Sequence, residues 1–192
     1  IESEKLSIDL SAGYVQGKTS FMQQFGRFDP WYAVKMSTPT TLHTRDRGFF
    51  RAPPEVSREI RSTRDYQRFT GSFNLVHTPT SWFTQRLVLG IDQTNDENVT
   101  LIPRQVEPEG HWFGGRAYGE KYVEIPTSGT YTVDYSGGVT YDVLPSLSTT
   151  TSVGFQYFSF GKNSQSSEGR IFPSPAITSL SGAAEIFSTE SW

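Results

Sequence analysis

The sequence predicts an all-β chain of about five antiparallel, up-and-down strands, with tight turns on one side and long loops on the other. Three observations carry that expectation. Five segments alternate apolar and polar residues with period two, the pattern of a strand with unlike faces. The breaks between them are alternately very short and very long. Charged residues make up only 19% of the 192 residues while aromatics reach 14%, a composition that suits pleated surfaces. Short turns opposite long loops are how the strands of membrane β-barrels are strung together, although the same alternation also fits an open sheet or the core of a sandwich.

In the first segment Leu6, Ile8, Leu10, Ala12 and Tyr14 share one face and Ser7, Asp9, Ser11 and Gly13 the other. The second sets Phe69, Gly71, Phe73 and Leu75 against Thr70, Ser72 and Asn74. A Thr78-Pro79-Thr80-Ser81 turn leads to the third, where Phe83, Gln85, Leu87, Leu89 and Ile91 oppose Thr84, Arg86, Val88, Gly90 and Asp92. The fourth is the most regular, with Tyr131, Val133, Tyr135, Val139 and Tyr141 facing away from Thr132, Asp134, Ser136, Gly138 and Thr140. After a Val143-Leu144-Pro145-Ser146 turn, the fifth places Leu147, Val153, Phe155 and Tyr157 opposite Ser148, Thr150, Ser152, Gly154 and Gln156. The polar faces are small and mostly uncharged, as in a barrel lumen or a surface covered by another chain. The long connections are residues 18–65, 94–128 and a tail over 161–192. Within the first, residues 53–60 read as a short helix, with proline at its start and Val56 and Ile60 on one side.

Residues 1–192 form a single domain by length, and no apolar run approaches the ~20 residues of a membrane helix. A net charge of −3 gives no electrostatic case for nucleic acid. The absence of cysteine excludes a disulfide scaffold and thiolate metal sites. The chain opens Ile1-Glu2-Ser3-Glu4-Lys5, without a leader, and reads as a processed or excised segment.

No catalytic, cofactor or metal site is expected. His43, His77 and His111 stand in three separate regions, and no nucleophile elbow is present. The oxygen-rich run of Asp92, Asn95, Asp96, Glu97 and Asn98 lacks the ligand spacing and turn glycine of a calcium loop. Trp112, Phe113 and Tyr118 are the candidate ligand or partner loop, and in a third reading they serve a carbohydrate-binding module. Arg45, Arg47 and Arg51 begin the densest run of positive charge and are the candidate contacts for an acidic partner. The acids interleaved with them also fit a solvated loop.

The strings Phe69-Thr70-Gly71-Ser72-Phe73-Asn74-Leu75, Ser81-Trp82-Phe83-Thr84-Gln85-Arg86-Leu87-Val88-Leu89-Gly90-Ile91-Asp92 and Thr132-Val133-Asp134-Tyr135-Ser136-Gly137-Gly138-Val139-Thr140-Tyr141 resemble the barrel wall of SusC/RagA-type TonB-linked outer-membrane proteins. The resemblance continues through Ser152-Val153-Gly154-Phe155-Gln156-Tyr157-Phe158 and Phe172-Pro173-Ser174-Pro175-Ala176. It implies a bacterial outer-membrane or periplasmic setting and a non-enzymatic part in nutrient import, without cofactors. Plug, TonB box and most strands of such a barrel are missing from this chain. The expected partners are therefore other protein chains, either the rest of a barrel or a larger envelope complex in which the chain is an accessory subunit, with lipid as a further contact.

Overall fold

The computed structural model describes residues 2–22 and 28–192; residue 1 and residues 23–27 of the first long connection lie outside the described residues. The strands are β1 (Glu2–Ser3), β2 (Leu6–Phe21), β3 (Arg61–Thr80), β4 (Phe83–Ile102), β5 (Glu120–Leu144), β6 (Leu147–Arg170) and β7 (Glu185–Ser191). They form one sheet in the order β1 to β7, every neighbouring pair antiparallel, and the sheet is not closed. The all-β, up-and-down expectation holds. The five expected strands are β2 to β6, and the short β1 and β7 flank them.

Both tight turns join antiparallel neighbours. Leu75 pairs with Leu87 and Phe73 with Leu89, while Val133 pairs with Tyr157 and Tyr141 with Thr149. Ser81-Trp82 and Pro145-Ser146 are the only residues between their flanking strands. So short a turn leaves no room for a crossover, and the strands on either side must pair antiparallel.

The strands are much longer than the alternating segments. β2 to β6 span 16, 20, 20, 25 and 24 residues, against a common strand length of about five or six. The long connections shrink accordingly to residues 22–60, 103–119 and 171–184. The added lengths are mostly polar with scattered apolar residues such as Ile125, Phe158 and Phe160, so they carry little period-two signal, yet the backbone ladder runs on through them. Lys18 pairs with Asp65, Gln67 with Asn95, and Gln165 with Ile125. The expected helix at 53–60 is a single turn, α2 (Pro54–Ser57), with Val56 and Ile60 both buried. A second short helix, α1 (Pro30–Lys35), begins at Asp29, whose carboxylate accepts the Trp31 and Tyr32 N–H groups.

The location of the core sets this sheet apart from an ordinary soluble one. Among the described residues, the buried apolar side chains lie in the long loops or in the last few loop-side residues of the strands, as with Ile102 and Val123. Along the turn-side half of the sheet the large apolar side chains are exposed or only partly covered. Hydrophobic burial, which normally holds a sheet together, here acts at one end of the strands alone.

Candidate functional site

The register sorts the residues of the sheet into two broad faces. Cross-strand partners point to the same side, so the row of Leu10, Phe73, Leu89, Val133 and Tyr157 belongs to one face. On this face the turn-side half is apolar and aromatic from β2 to β6. Its members range from half-buried on the inner strands, as at Phe73, Leu87 and Val133, to open on the outer ones, where Leu10 is 79% exposed, Val153 74% and Phe155 60%. Tyr14, Phe69, Tyr131 and Tyr157 stand on its loop-side border, and Phe83 and Tyr141 on its turn side. Beyond the loop-side border the same face turns polar, with Gln16, Gln67, Gln93 and Asn95, and an ion pair joins Lys18 to Asp65 at 2.9 Å.

The opposite face is rich in Ser, Thr and Gly along the turn-side half, with Val76, Val88, Asp9, Arg86 and Asp134 among them, and near the border β6 adds the exposed Phe158 and Phe160. Hydroxyls bridge strands there, Ser11 to Ser72 at 2.7 Å and Thr140 to Thr150 at 3.0 Å. Further toward the loops the face becomes charged and cross-linked. Arg68 holds Asp92 in a two-point grip, Nε to Oδ1 at 2.9 Å and Nη2 to Oδ2 at 2.5 Å. Arg64 donates to Asp96 at 2.7 Å. In the turn-side half, the Asn74 amide donates to Asp9 and accepts from Arg86, joining three strands. Arg64, Tyr66, Arg68, Thr94, Asp96 and Val15 line an open cleft of about 400 Å³ on this face. The Tyr66 ring lies directly over Gly17, where a Cβ would come within 2.5 Å of its hydroxyl. Near the strand ends Glu168 sits 2.6 Å from Arg170 and pushes the guanidinium pKa further up through their hydrogen bond.

The loop ends carry a cap with its own core. Phe28, Ala52, Val56, Ile60, Ile102, Phe113 and Ala117 pack together, the Phe28 and Phe113 rings meeting edge to face at 4.9 Å. The buried Ser57 hydroxyl donates to the Phe28 carbonyl at 2.5 Å. Phe172 is fully buried against Gly119, whose φ of 95° and missing Cβ make room for the ring.

The candidate site residues fall into this cap, and their side chains are engaged within it. Phe113 is 3% exposed, so its ring is committed to packing. Trp112 donates Nε1–H to Asp46 Oδ1 at 2.8 Å and lies beneath the Arg45 guanidinium at 4.8 Å. Tyr118 is stacked by Arg104 at 5.2 Å. Arg45 also donates to the Gly110 carbonyl, Arg47 is ion-paired with Glu55, and Arg51 covers the Phe50 ring at 4.9 Å. These three arginines stitch the first loop together and fasten it to the second.

The remaining candidates are dispersed. His77 bonds Gln85 at 2.9 Å near the turns, His111 approaches Glu59 at 3.6 Å in the cap, and His43 stands apart from both. The oxygen-rich run lies within β4 and is divided by the pleat: Asp92, Asp96 and Asn98 on one face, Asn95 and Glu97 on the other. Phe28 and Phe172, which organise the cap, had no signal in the alternation. The nearest sequence mark is Gly119, which precedes β5 and leaves space for Phe172. The chain matches no protein-family model and no curated protein sequence.

Proposed function

We propose that this chain is part of the wall of an outer-membrane β-barrel that imports nutrients, of the SusC/RagA TonB-linked kind. One observation supports the membrane part of this reading above all. Among the described residues the sheet has an apolar face that no other element covers, bounded by aromatic residues, a more polar face behind it that is rich in Ser and Thr but also carries Phe158 and Phe160, and no core beneath either along the turn-side half. In water an apolar surface of that extent is a liability. In a bilayer it is the outward band of a barrel, with the polar face turned to the lumen. The free edges of β2 and β6 agree with this, since only the ends of these strands are paired by β1 and β7. Unpaired edges of this length call for neighbouring strands, and a closed barrel supplies them. The import role rests on the resemblance of the strand sequences. The chain's part is architectural, with no catalytic step assigned to it.

A second reading, an accessory subunit of a larger envelope complex, draws on the loop-side cap, whose core is built apart from the apolar face. Intact mass measured from native membranes separates the two. A membrane-embedded polypeptide several times heavier than 21.6 kDa supports the barrel. A species near 21.6 kDa within a membrane complex supports the subunit. A freely soluble, folded monomer of that mass refutes both.

A further inference from the structure

One register row of the sheet leaves its hydrogen-bonding capacity almost unused. On the face that carries Leu10, two residues loop-ward of Tyr14 and Phe69, the strands β2 to β6 present Gln16, Gln67, Asn95, Thr127 and Asn163 in a single cross-strand line. At about 4.8 Å between strands the line is roughly 19 Å long. A carboxamide offers two donors and an acceptor, and a hydroxyl offers both roles. Yet the side chains of Gln67, Asn95, Thr127 and Asn163 make no hydrogen bond among the described residues, and Gln16 accepts only from the Tyr14 hydroxyl at 3.0 Å. Asn163 Oδ1 is also buried without a partner. A buried acceptor left empty is costly, so the row is completed by donors from outside the chain.

The surroundings narrow the chemistry. Gln16, Gln67 and Asn95 line an open cleft of about 450 Å³ together with Lys18 and Asp65. The one cation beside the row among the described residues is Lys18, and Asp65 holds it at 2.9 Å. Glu97 adds an exposed negative charge on the same face. Nothing there is arranged to take a phosphate or a carboxylate. Along the turn-side flank lie flat rings: Tyr14, Phe69, and Tyr131, whose ring edge would meet a Cβ at Gly129 at 3.5 Å. Gly161 completes that flank with open space above it. Neutral amides beside exposed rings suit a ligand with hydroxyls around its rim and an apolar flat side. A pyranose has both, since each hydroxyl donates and accepts and its C–H face lies on an aromatic ring.

We infer that this row binds a neutral saccharide chain laid across the strands, with sugar rings on Tyr14, Phe69 and Tyr131 and hydroxyls on Gln16, Gln67, Asn95 and Asn163. The place of the site follows from the register alone. The membrane reading adds one source for the sugar, the headgroup of a glycolipid beside the wall; the other source is a free glycan.

The chain has no cysteine, so Gln165→Cys on the same face, two residues from Asn163, carries a single environment-sensitive fluorophore on the full-length protein. In one arm cellohexaose is titrated onto the protein in a sugar-free detergent. In the other, digalactosyl diacylglycerol is raised within phosphatidylcholine vesicles holding the protein. The expected result is a saturable change in at least one arm, with affinity about tenfold weaker when Gln67→Ala and Asn95→Ala are combined. Those side chains bond nothing in the fold, so the double variant should keep the parent's unfolding midpoint, and Gln156→Ala on the opposite face should bind as the parent does. A response in the vesicle arm alone assigns the site to headgroups, and a response to cellohexaose assigns it to a free glycan; either upholds it. Silence in both arms, or a response that the double variant leaves intact, overturns it. A protein that binds cellohexaose but stays out of vesicles keeps this site and sinks the membrane reading, whereas one that inserts and ignores both sugars does the reverse.

Discussion

Leu87 offers the most direct test of the proposal that the apolar face meets lipid. It lies on the apolar face four residues from both Phe83 and Ile91, the two borders of the band on β4. At about 3.3 Å per residue and the roughly 35–45° tilt of barrel strands, its Cα is about 10 Å from either border, close to the midplane of a bilayer on that face. An arginine there costs about 2–4 kcal/mol in a barrel wall, a roughly 30- to 700-fold change in the folding equilibrium. Val88, the next residue, points to the opposite face and pairs with Asp134. Val88→Arg therefore places a cation beside a carboxylate on the polar side, and its expected cost is within about 0.5 kcal/mol. The assay is urea unfolding of the full-length protein in vesicles, following tryptophan fluorescence for both variants and the parent. Leu87→Arg should lower the midpoint clearly, with Val88→Arg close to the parent. Two variants within about 0.5 kcal/mol of each other, or the larger loss at Val88, would refute the assignment of the faces.

Other substitutions probe the cap and the strand ends. Phe113→Ala removes a ring packed in the cap core and should cost about 3–5 kcal/mol locally, seen as faster proteolysis within residues 103–119 while the strands stay protected. Unchanged loop protection would show that the Phe28–Phe113 contact does not hold the cap. Trp112→Phe deletes the bond to Asp46 while keeping an aromatic ring under Arg45; an expected loss of about 1–3 kcal/mol should appear in hydrogen exchange of the first loop. Gly119→Ala combines a positive φ with a Cβ 2.4 Å from a buried Phe172 carbon, so a loss of at least about 2 kcal/mol is expected in cap stability. A neutral result would mean that Phe172 has another place to go.

The alternation was legible where the two faces differ in residue type, which is why Phe73, Leu89 and Val133 could each be assigned to the apolar side of its strand from sequence. It vanished where both faces are polar. Asp65 and Tyr66, or Asn95 and Asp96, give no period, and the chain there is strand because the ladder begun below continues upward. β7 escaped for a related reason: Ile186 and Phe187 are adjacent, so they fall on opposite faces and do not alternate. The cap was less legible still. Trp112 and Phe113 are conspicuous aromatics in a Gly-rich loop, a pattern shared by ligand loops and by packed loops. Only the contacts with Phe28, Asp46 and Arg45, 66 to 85 residues away in sequence, settle their present role.

The unequal ends of the sheet bear on how such a wall is assembled. In the barrel reading proposed above, a segment entering with its turns leading passes Ser81-Trp82, Pro145-Ser146 and the short N-terminal turn with Glu2, Glu4 and Lys5 across the hydrocarbon. One entering with its loops leading must carry the whole cap through, including Arg45, Arg47 and Arg51 and their acidic neighbours. Each charge facing hydrocarbon costs a few kcal/mol near the midplane, so the barrier for the second route is several times that of the first. A cap that folds early hides part of this cost by pairing its charges, but it also makes the object to be moved larger. For a chain delivered from the turn side, unaided insertion would be slow, and a catalyst that opens or thins the bilayer locally becomes a requirement of assembly.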